Sequence, residues 1–360
     1  MILKVKGVSK SFGSQQVLKP ITFEVGEGER ICILGPSGCG KSTLLQMIAG
    51  LQRIDTGEVE MAGAIVERGK HYIPPENRPI NMVFQDYALW PHMNVKQNME
   101  YGMKRRKLNV HDRASTLDQL QSLLKLEGLL DRLPAQLSGG QQQRVGIARA
   151  LATEPKLLLM DEPLSNLDVK LRTDMRGELA RLLGELSIAT LYVTHDRMEA
   201  FTVADRILIL RDGTIDQLGT PRELFERPAS PWVAQLMGYH NRLEARLSQN
   251  GPPAAIVSGS LIVGNLMGTD HGDGRAIIMI HPESIEICSS DEALQEGNLL
   301  KVTVMQTIYE GNRWRVIAET ADQQPIHLFH HCSVDAGSEW RIRLLPEQTM
   351  IYAESSMLAT

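Results

Sequence analysis

The stretch Gly35-Pro36-Ser37-Gly38-Cys39-Gly40-Lys41-Ser42-Thr43 decides the fold. It matches G-x-x-x-x-G-K-[ST], follows the apolar run Ile31 to Leu34, and opens the helical pattern Thr43-Leu-Leu-Gln-Met-Ile-Ala. Strand, glycine-rich turn and helix in that order make a phosphate cradle. The glycines let backbone N–H groups close around phosphate oxygens, and the helix N-terminus adds its dipole. Lys41 sets a point charge on the β- and γ-phosphates, while Ser42 offers a hydroxyl to Mg2+. A turn of purely structural purpose would not need the Lys-Ser ending. Cys39 lies inside the cradle, so alkylating it is expected to block nucleotide entry by bulk.

Outward from the cradle, short apolar runs alternate with amphipathic helical stretches over the first 230 residues. This is the pattern of a largely parallel sheet covered by helices. Strands are expected at Asn81 to Phe84, Leu157 to Met160, Thr190 to Thr194 and Ile207 to Leu210. Leu171, Met175, Leu179, Leu182, Leu183 and Leu186 fall at helical spacing and form one face of a crossover helix. From about 96 to 152 helices follow one another with no strand between, which reads as a helical insert. After Pro228 and Pro231 the pattern becomes short β-rich pieces divided by Gly, Asp, Asn and Pro, expected to form a small all-β, barrel-like domain.

A chain of 360 residues holds about two domains at roughly one per 150 residues. Hydrophobic residues at 42% and charged residues at 22% exclude a disordered chain, a fibrous repeat or a coiled coil. The net charge of −5 supplies no general basic field, so no nucleic-acid partner is expected. Cys32, Cys39, Cys288 and Cys332 form neither a C-x-x-C pair nor a disulfide framework, which fits a reducing compartment. No export signal is evident, and the longest apolar runs fall far short of the ~18 to 20 residues that cross a bilayer, so any membrane role is expected to be peripheral.

Lys156-Leu-Leu-Leu-Met-Asp161-Glu162 is a buried strand that delivers adjacent carboxylates to its C-terminal edge, where ligands of open α/β sheets bind. Behind a phosphate cradle, Asp161 suits a Mg2+ ligand and Glu162 a group that polarises the attacking water. Leu137-Ser138-Gly139-Gly140-Gln141 opens a helix whose free N–H groups can approach a second anion. Read alone, that segment would be an ordinary Ser-Gly-Gly helix cap.

With these motifs in this order, the first 235 residues resemble the nucleotide-binding subunits of ABC transporters. Leu137 to Gln141 resembles their signature motif, Gln85 in Phe84-Gln85-Asp86-Tyr87-Ala88-Leu89-Trp90-Pro91-His92 their Q-loop, Ser165-Asn166-Leu167-Asp168 their D-loop, and His195 in Val193-Thr194-His195-Asp196 their switch histidine. Asn166 departs from the frequent Ala at its position. The resemblance implies an ATPase that uses ATP and Mg2+ and works as a head-to-tail homodimer. Each ATP would lie between one P-loop and the partner's Ser138, Gly139, Gly140 and Gln141. Phe12 would stack on adenine, Gln85 would join Ser42 and Asp161 around Mg2+, and His195 would contact the γ-phosphate. Tyr87, Leu89, Trp90 and Pro91 form an apolar cluster expected at the surface, where the family receives the coupling helices of transmembrane permease subunits.

The fold class expected is α/β: a P-loop NTPase domain over 1–237 with a helical subdomain at about 96–152, then a β-rich, OB-like (TOBE-type) domain over 238–360. That second domain resembles the one appended to importer ATPases for maltose, polyamines, ferric iron, sulfate and phosphonates. His281-Pro282-Glu283 stands where the family commonly has Arg-Pro-Glu. The resemblance implies an importer subunit on the cytoplasmic face of the inner membrane, served indirectly by an extracytoplasmic solute-binding protein. The solute is read by other chains, so polyamine, ferric iron, phosphonate and sugar all stay open, with the lean toward a polyamine or ferric iron. An ABC exporter subunit, a soluble non-transport ATPase and a regulatory protein that sequesters a transcription factor are the alternatives.

Overall fold

The computed structural model describes residues 1–105, 109–248, 251–267, 274–288 and 298–353. By packing the chain forms two units, Met1–Pro221 and Arg222–Thr360. The first begins with β1 (Leu3–Phe12), β2 (Gln15–Val25) and β3 (Arg30–Leu34), then α1 (Lys41–Ala49). It continues through β4 (Thr56–Met61), β5 (Ala64–Arg68), β6 (His71–Tyr72) and β7 (Ile80–Val83). The insert holds α2 (Val95–Arg105), α3 (Val110–Leu123) and α4 (Gly139–Leu151). The remainder is β8 (Leu157–Asp161), α5 (Val169–Leu186), β9 (Ala189–Thr194), α6 (Arg197–Val203), β10 (Arg206–Arg211) and β11 (Thr214–Gly219).

One sheet has the order β11-β10-β3-β9-β8-β7 and is parallel except for the β10–β11 pair. Its central strands are continuous apolar runs because both faces are covered. A second sheet, β2-β1-β4-β5-β6, is antiparallel throughout and lies outside the expected parallel pattern. Between the two sheets lies α1, whose Leu44, Leu45, Met47 and Ile48 join one core with Leu3, Val5 and Ile21 from one sheet and Ile31, Ile33 and Leu191 from the other.

The C-terminus of α1 ends on a buried cation. Arg78 Nη1 donates to the carbonyls of Met47 and Ile48 at 2.9 and 2.8 Å, and its Nη2 donates to Glu67 Oε2 at 2.8 Å. Both side chains are fully buried, and Arg53 Nε closes on the other carboxylate oxygen at 2.7 Å. A positive charge at a helix C-terminus offsets the dipole there and satisfies carbonyls that have no partner within the helix.

The second unit carries α7 (Pro221–Glu226), α8 (Pro231–Leu236) and β12 (Asn241–Leu247). Next come β13 (Ala254–Val257), β14 (Ser260–Val263), β15 (Asn265–Met267), β16 (Arg275–Ile280) and β17 (Ile285–Cys288). The last strands are β18 (Leu299–Tyr309), β19 (Trp314–Thr320), β20 (Pro325–His330), β21 (Glu339–Leu344) and β22 (Thr349–Ala353). They form two sheets, β14-β13-β12-β16-β22-β15 and β17-β21-β18-β19-β20, around one apolar core that includes Leu243, Ile278, Val302 and Ile342. The two helices fall in this unit, which begins at Arg222 where the sequence reading set the boundary at 237. The Phe225 ring meets Tyr239 and His281 at 5.6 and 5.7 Å, and Tyr352 Oη donates to Pro228 O. Tyr239 donates its own hydroxyl to Phe225 O, and burial pushes its pKa up to about 12.

Side-chain amides stitch the sheets together. Asn241 exchanges two hydrogen bonds with the backbone of His327, Asn298 two with Val263, and Gln324 two with Glu244. Each amide supplies one donor and one acceptor, as an opposed strand residue would.

Replacing Arg78 with Met strands Glu67 in the core and leaves the α1 carbonyls unmet. Urea unfolding should show a loss of about 3–5 kcal/mol, and Arg78→Met/Glu67→Leu should recover part of it.

Candidate nucleotide site

Steric exclusion shapes the cradle. A Cβ on Gly35 would stand 2.1 Å from Leu210 O, so no side chain fits there. Gly40 adopts φ +103 as the N-cap of α1, and a Cβ there would stand 2.6 Å from Leu18 Cδ2. Pro36, Ser37 and Gly38 are exposed along the rim, Ser42 is exposed at the helix start and Thr43 is half-buried behind it. Lys41 is buried, and its Nζ donates to Gly35 O and Pro36 O at 2.9 Å each, which holds the ammonium over the loop. Cys39 is only 6% exposed and burial pushes its thiol up. Both features disfavour attack on an alkylating reagent in this conformation.

Asp161 ends β8 and accepts from Ser42 Oγ at 3.0 Å. Burial holds its carboxyl above the usual range, opposed by the Ser42 hydrogen bond and the Lys41 charge. Among the described residues, no three His, Cys, Asp or Glu side chains are grouped to hold a metal. Two hard oxygen donors beside a phosphate cradle instead fit a Mg2+ ion whose other ligands are phosphate and water oxygens.

Glu162 takes φ +44, a left-handed backbone that is uncommon outside glycine. Its N–H donates to Val193 O at 3.0 Å and its carbonyl accepts from Ser165 Oγ at 2.8 Å, so the turn is braced on both sides. The carboxylate then reaches His195, with Oε2 3.2 Å from Nδ1.

Behind His195 lies a buried network that the sequence reading missed. Glu199 Oε2 accepts from Tyr192 Oη at 2.9 Å and from Thr194 Oγ1 at 2.7 Å. Burial raises the Glu199 carboxyl, opposed by those two donors. A Glu in the first turn of a helix ordinarily reads as solvated, and only its position one turn past a buried strand gives a signal.

The remaining residues fall into distinct places. Phe12 is 49% exposed, with Lys10 Nζ 5.4 Å from its ring centre, so it is not core. Ser138 caps α4 in a reciprocal box with Gln141: Gln141 N donates to Ser138 Oγ and Ser138 N to Gln141 Oε1. Ser138 and Gly139 are exposed, and Gly140 is buried against Leu171 and Met175. Asp168 caps α5 through Leu171 N at 2.9 Å. Gln85 is exposed, and its carbonyl accepts from Asn166 Nδ2.

The apolar cluster needs a correction. Tyr87 is 5% exposed and packs on α4 beside Gly146, so it does not belong to an open patch. Leu89 and Trp90 are half-buried and Pro91 is exposed. Trp90 stacks at 4.1 Å on Tyr101 and lies under the Arg149 guanidinium, while Asn98 bonds the backbone of Trp90, Met93 and Asn94. The loop is thus a braced shelf.

A phosphate cradle at a strand-helix junction, with paired carboxylates at the end of β8, a parallel strand of the same sheet, defines a P-loop NTPase. Family models narrow this: an ABC transporter model matches residues 18–165 and a TOBE domain model matches 278–351. The sn-glycerol-3-phosphate import ATP-binding protein UgpC of Escherichia coli O6:K15:H31 (strain 536 / UPEC) is 43% identical over 293 residues, 81% of each chain. That of Salmonella typhi is 39% identical over 358 residues, 97% of each chain. Among solved structures, the dimeric ATP-binding cassette MJ0796 in a post-hydrolysis state with ADP and Pi is 31% identical, with TM-score 0.53, over 61% of this chain and 99% of that one. The cbiO1 protein of Clostridium perfringens, part of the cbiONQ transporter complex, is 30% identical, with TM-score 0.57, over 62% and 90%. The chain belongs to the ABC transporter family, as the ATP-binding and ATP-hydrolysing subunit of an importer with a C-terminal TOBE domain. Among the described residues no helix is long and apolar enough to cross a membrane. The relatives' printed solute gives no support to a polyamine or ferric iron.

The Glu199 network makes stability depend on pH. A carboxyl raised in the folded state adds stability that is complete below the ordinary carboxylate pKa and is lost as pH climbs through the raised value. Glu199→Gln removes that titration. Its melting temperature relative to the parent should therefore rise between acidic buffer and about pH 8.

Proposed function

We propose that two copies of this subunit close head to tail on two ATP molecules and drive uptake of a phosphorylated polyol, sn-glycerol 3-phosphate, through separate permease subunits. The observation that carries the hydrolytic part is the pairing of Glu162 Oε2 with His195 Nδ1, at the strand ends beside Ser42 and Asp161. Lys41 and the loop N–H groups hold the phosphates, and Phe12 offers its exposed ring to adenine. Ser42, Asp161 and Gln85 hold Mg2+, which neutralises charge building on the phosphate oxygens. Ser138, Gly139, Gly140 and Gln141 present the N-terminus of α4 to the partner's ATP.

In the reaction, a water oxygen bonds the γ-phosphorus as the bond to the β–γ bridging oxygen breaks. The water's proton passes to the Glu162 carboxylate, which leaves ADP and phosphate. His195 orients Glu162 and meets the γ-phosphate. Leu89, Trp90 and Pro91 on the braced shelf receive the permease, and the subunit sits at the cytoplasmic face of the membrane without crossing it. An extracytoplasmic binding protein delivers the solute. The solute reading rests on the named import function of relatives that align along 81–97% of this chain.

Glu162→Gln keeps the shape but removes the proton acceptor. ATP binding should persist while turnover falls by about 10²- to 10⁴-fold, and unimpaired hydrolysis would remove Glu162 from its role. Tagged Glu162→Gln protein held with ATP and Mg2+ should bring polytopic permease subunits out of native membranes. Cells lacking this chain should lose uptake of labelled sn-glycerol 3-phosphate, and retained uptake together with loss of another solute would reassign the cargo.

A further inference from the structure

Asn166 donates its Nδ2 to the backbone carbonyl of Gln85 at 2.9 Å, across 81 residues of sequence. Both residues are exposed, so burial does not force this contact. The loop that projects Asn166 is braced by hydrogen bonds on either side. Arg172 Nη2 donates to Ser165 O at 3.1 Å and to Leu167 O at 3.0 Å on either side of it, and Asp168 is fixed as the cap of α5. On the Gln85 side, Arg149 holds the carbonyls of Tyr87 and Ala88 further along the loop, but among the described residues Asn166 is the one side chain that hydrogen-bonds Gln85 itself. Alanine, frequent at this position in the family, could not make the bond.

We infer that Asn166 is a positioning residue that sets the backbone at Gln85 from the D-loop, so that the placement of Gln85 at the metal depends on where the D-loop stands. This rests on the reading of Gln85 as a Mg2+ ligand. A continuous bonded path supports it: Gln85 O meets Asn166, Ser165 Oγ bonds Glu162 O, and Glu162 reaches His195. The start of α4 abuts the same loop, since a Cβ on Gly139 would stand 3.3 Å from Leu167. A shift of that helix against the D-loop therefore reaches Gln85 through one side chain.

The test uses the full chain with four variants: Gln85→Ala, Asn166→Ala, Asn166→Asp and Asn166→Gln. Asn166→Asp keeps the shape but sets an acceptor against the carbonyl, whereas Asn166→Gln restores a donor. Two readouts are taken: the Mg2+ concentration for half-maximal ATPase at saturating ATP, and hydrogen exchange of the peptide spanning 84–89 without nucleotide. Asn166→Ala and Asn166→Asp should raise the Mg2+ midpoint about 2- to 10-fold, the range of one hydrogen bond, and speed exchange in that peptide. The KM for ATP and the melting temperature should hold, and Asn166→Gln should return the midpoint toward the parent value. A shift with Gln85→Ala but none with Asn166→Ala overturns the tether alone. No shift with Gln85→Ala overturns the metal reading of Gln85 and the tether with it. Exchange unchanged in both Asn166→Ala and Asn166→Asp also overturns the tether.

Discussion

The carbonyl oxygen of Leu210 is the constraint on which the rest of the structure depends. β10 and β3 run parallel with Ile209 beside Leu34, which brings that oxygen against the Cα of Gly35. The chain leaving β3 finds no room for a side chain there and turns back at once. The turn hands α1 into the space between two sheets, where its buried leucines and methionine complete the core of the first unit. A single steric exclusion thus sets the cradle, the direction of α1 and the packing of the antiparallel sheet upon it.

Charge is then divided between the two ends of that helix. Arg78, paired with Glu67, occupies the carbonyl end, while the amide end stays open beside Lys41 for an anion. The carboxylates at the end of β8, one strand removed from β3, are separated by their surroundings. Asp161 is buried and bonded to Ser42, while Glu162 turns away on a left-handed backbone toward His195. Adjacent residues, the last of β8 and the first of the turn after it, so acquire different chemical tasks.

The parallel strands were legible because burial on both faces leaves continuous apolar runs such as Ile31 to Leu34 and Leu157 to Met160. The antiparallel sheet of the first 72 residues was not. Its alternation is interrupted by register shifts between Val5 and Val8 and between Val8 and Lys10, and Ser9 and Lys10 are buried within it. At the site, motif spacing pointed to the cradle and the carboxylate pair, because phosphate chemistry restricts which residues can serve, while His195 came from the family resemblance. It could not locate Glu199, Arg78 or Asn166, whose partners lie on other elements and whose residue types are ordinary on a surface. Tyr87 failed for a related reason: apolar density marks a cluster, but only packing against α4 shows which side of it faces inward.

The amide stitches of the second unit have a consequence for the order in which it folds. Asn241 waits for His327, and Glu244 waits for Gln324, while β16 cannot complete its sheet until β22 pairs with it. At a synthesis rate of ~5–20 residues per second, the apolar face of β12 stays uncovered for about 4 to 17 seconds before its partners emerge. The first unit draws its strands from the preceding residues and can close during that interval. Translation thus lets the first unit close before the β domain can be completed.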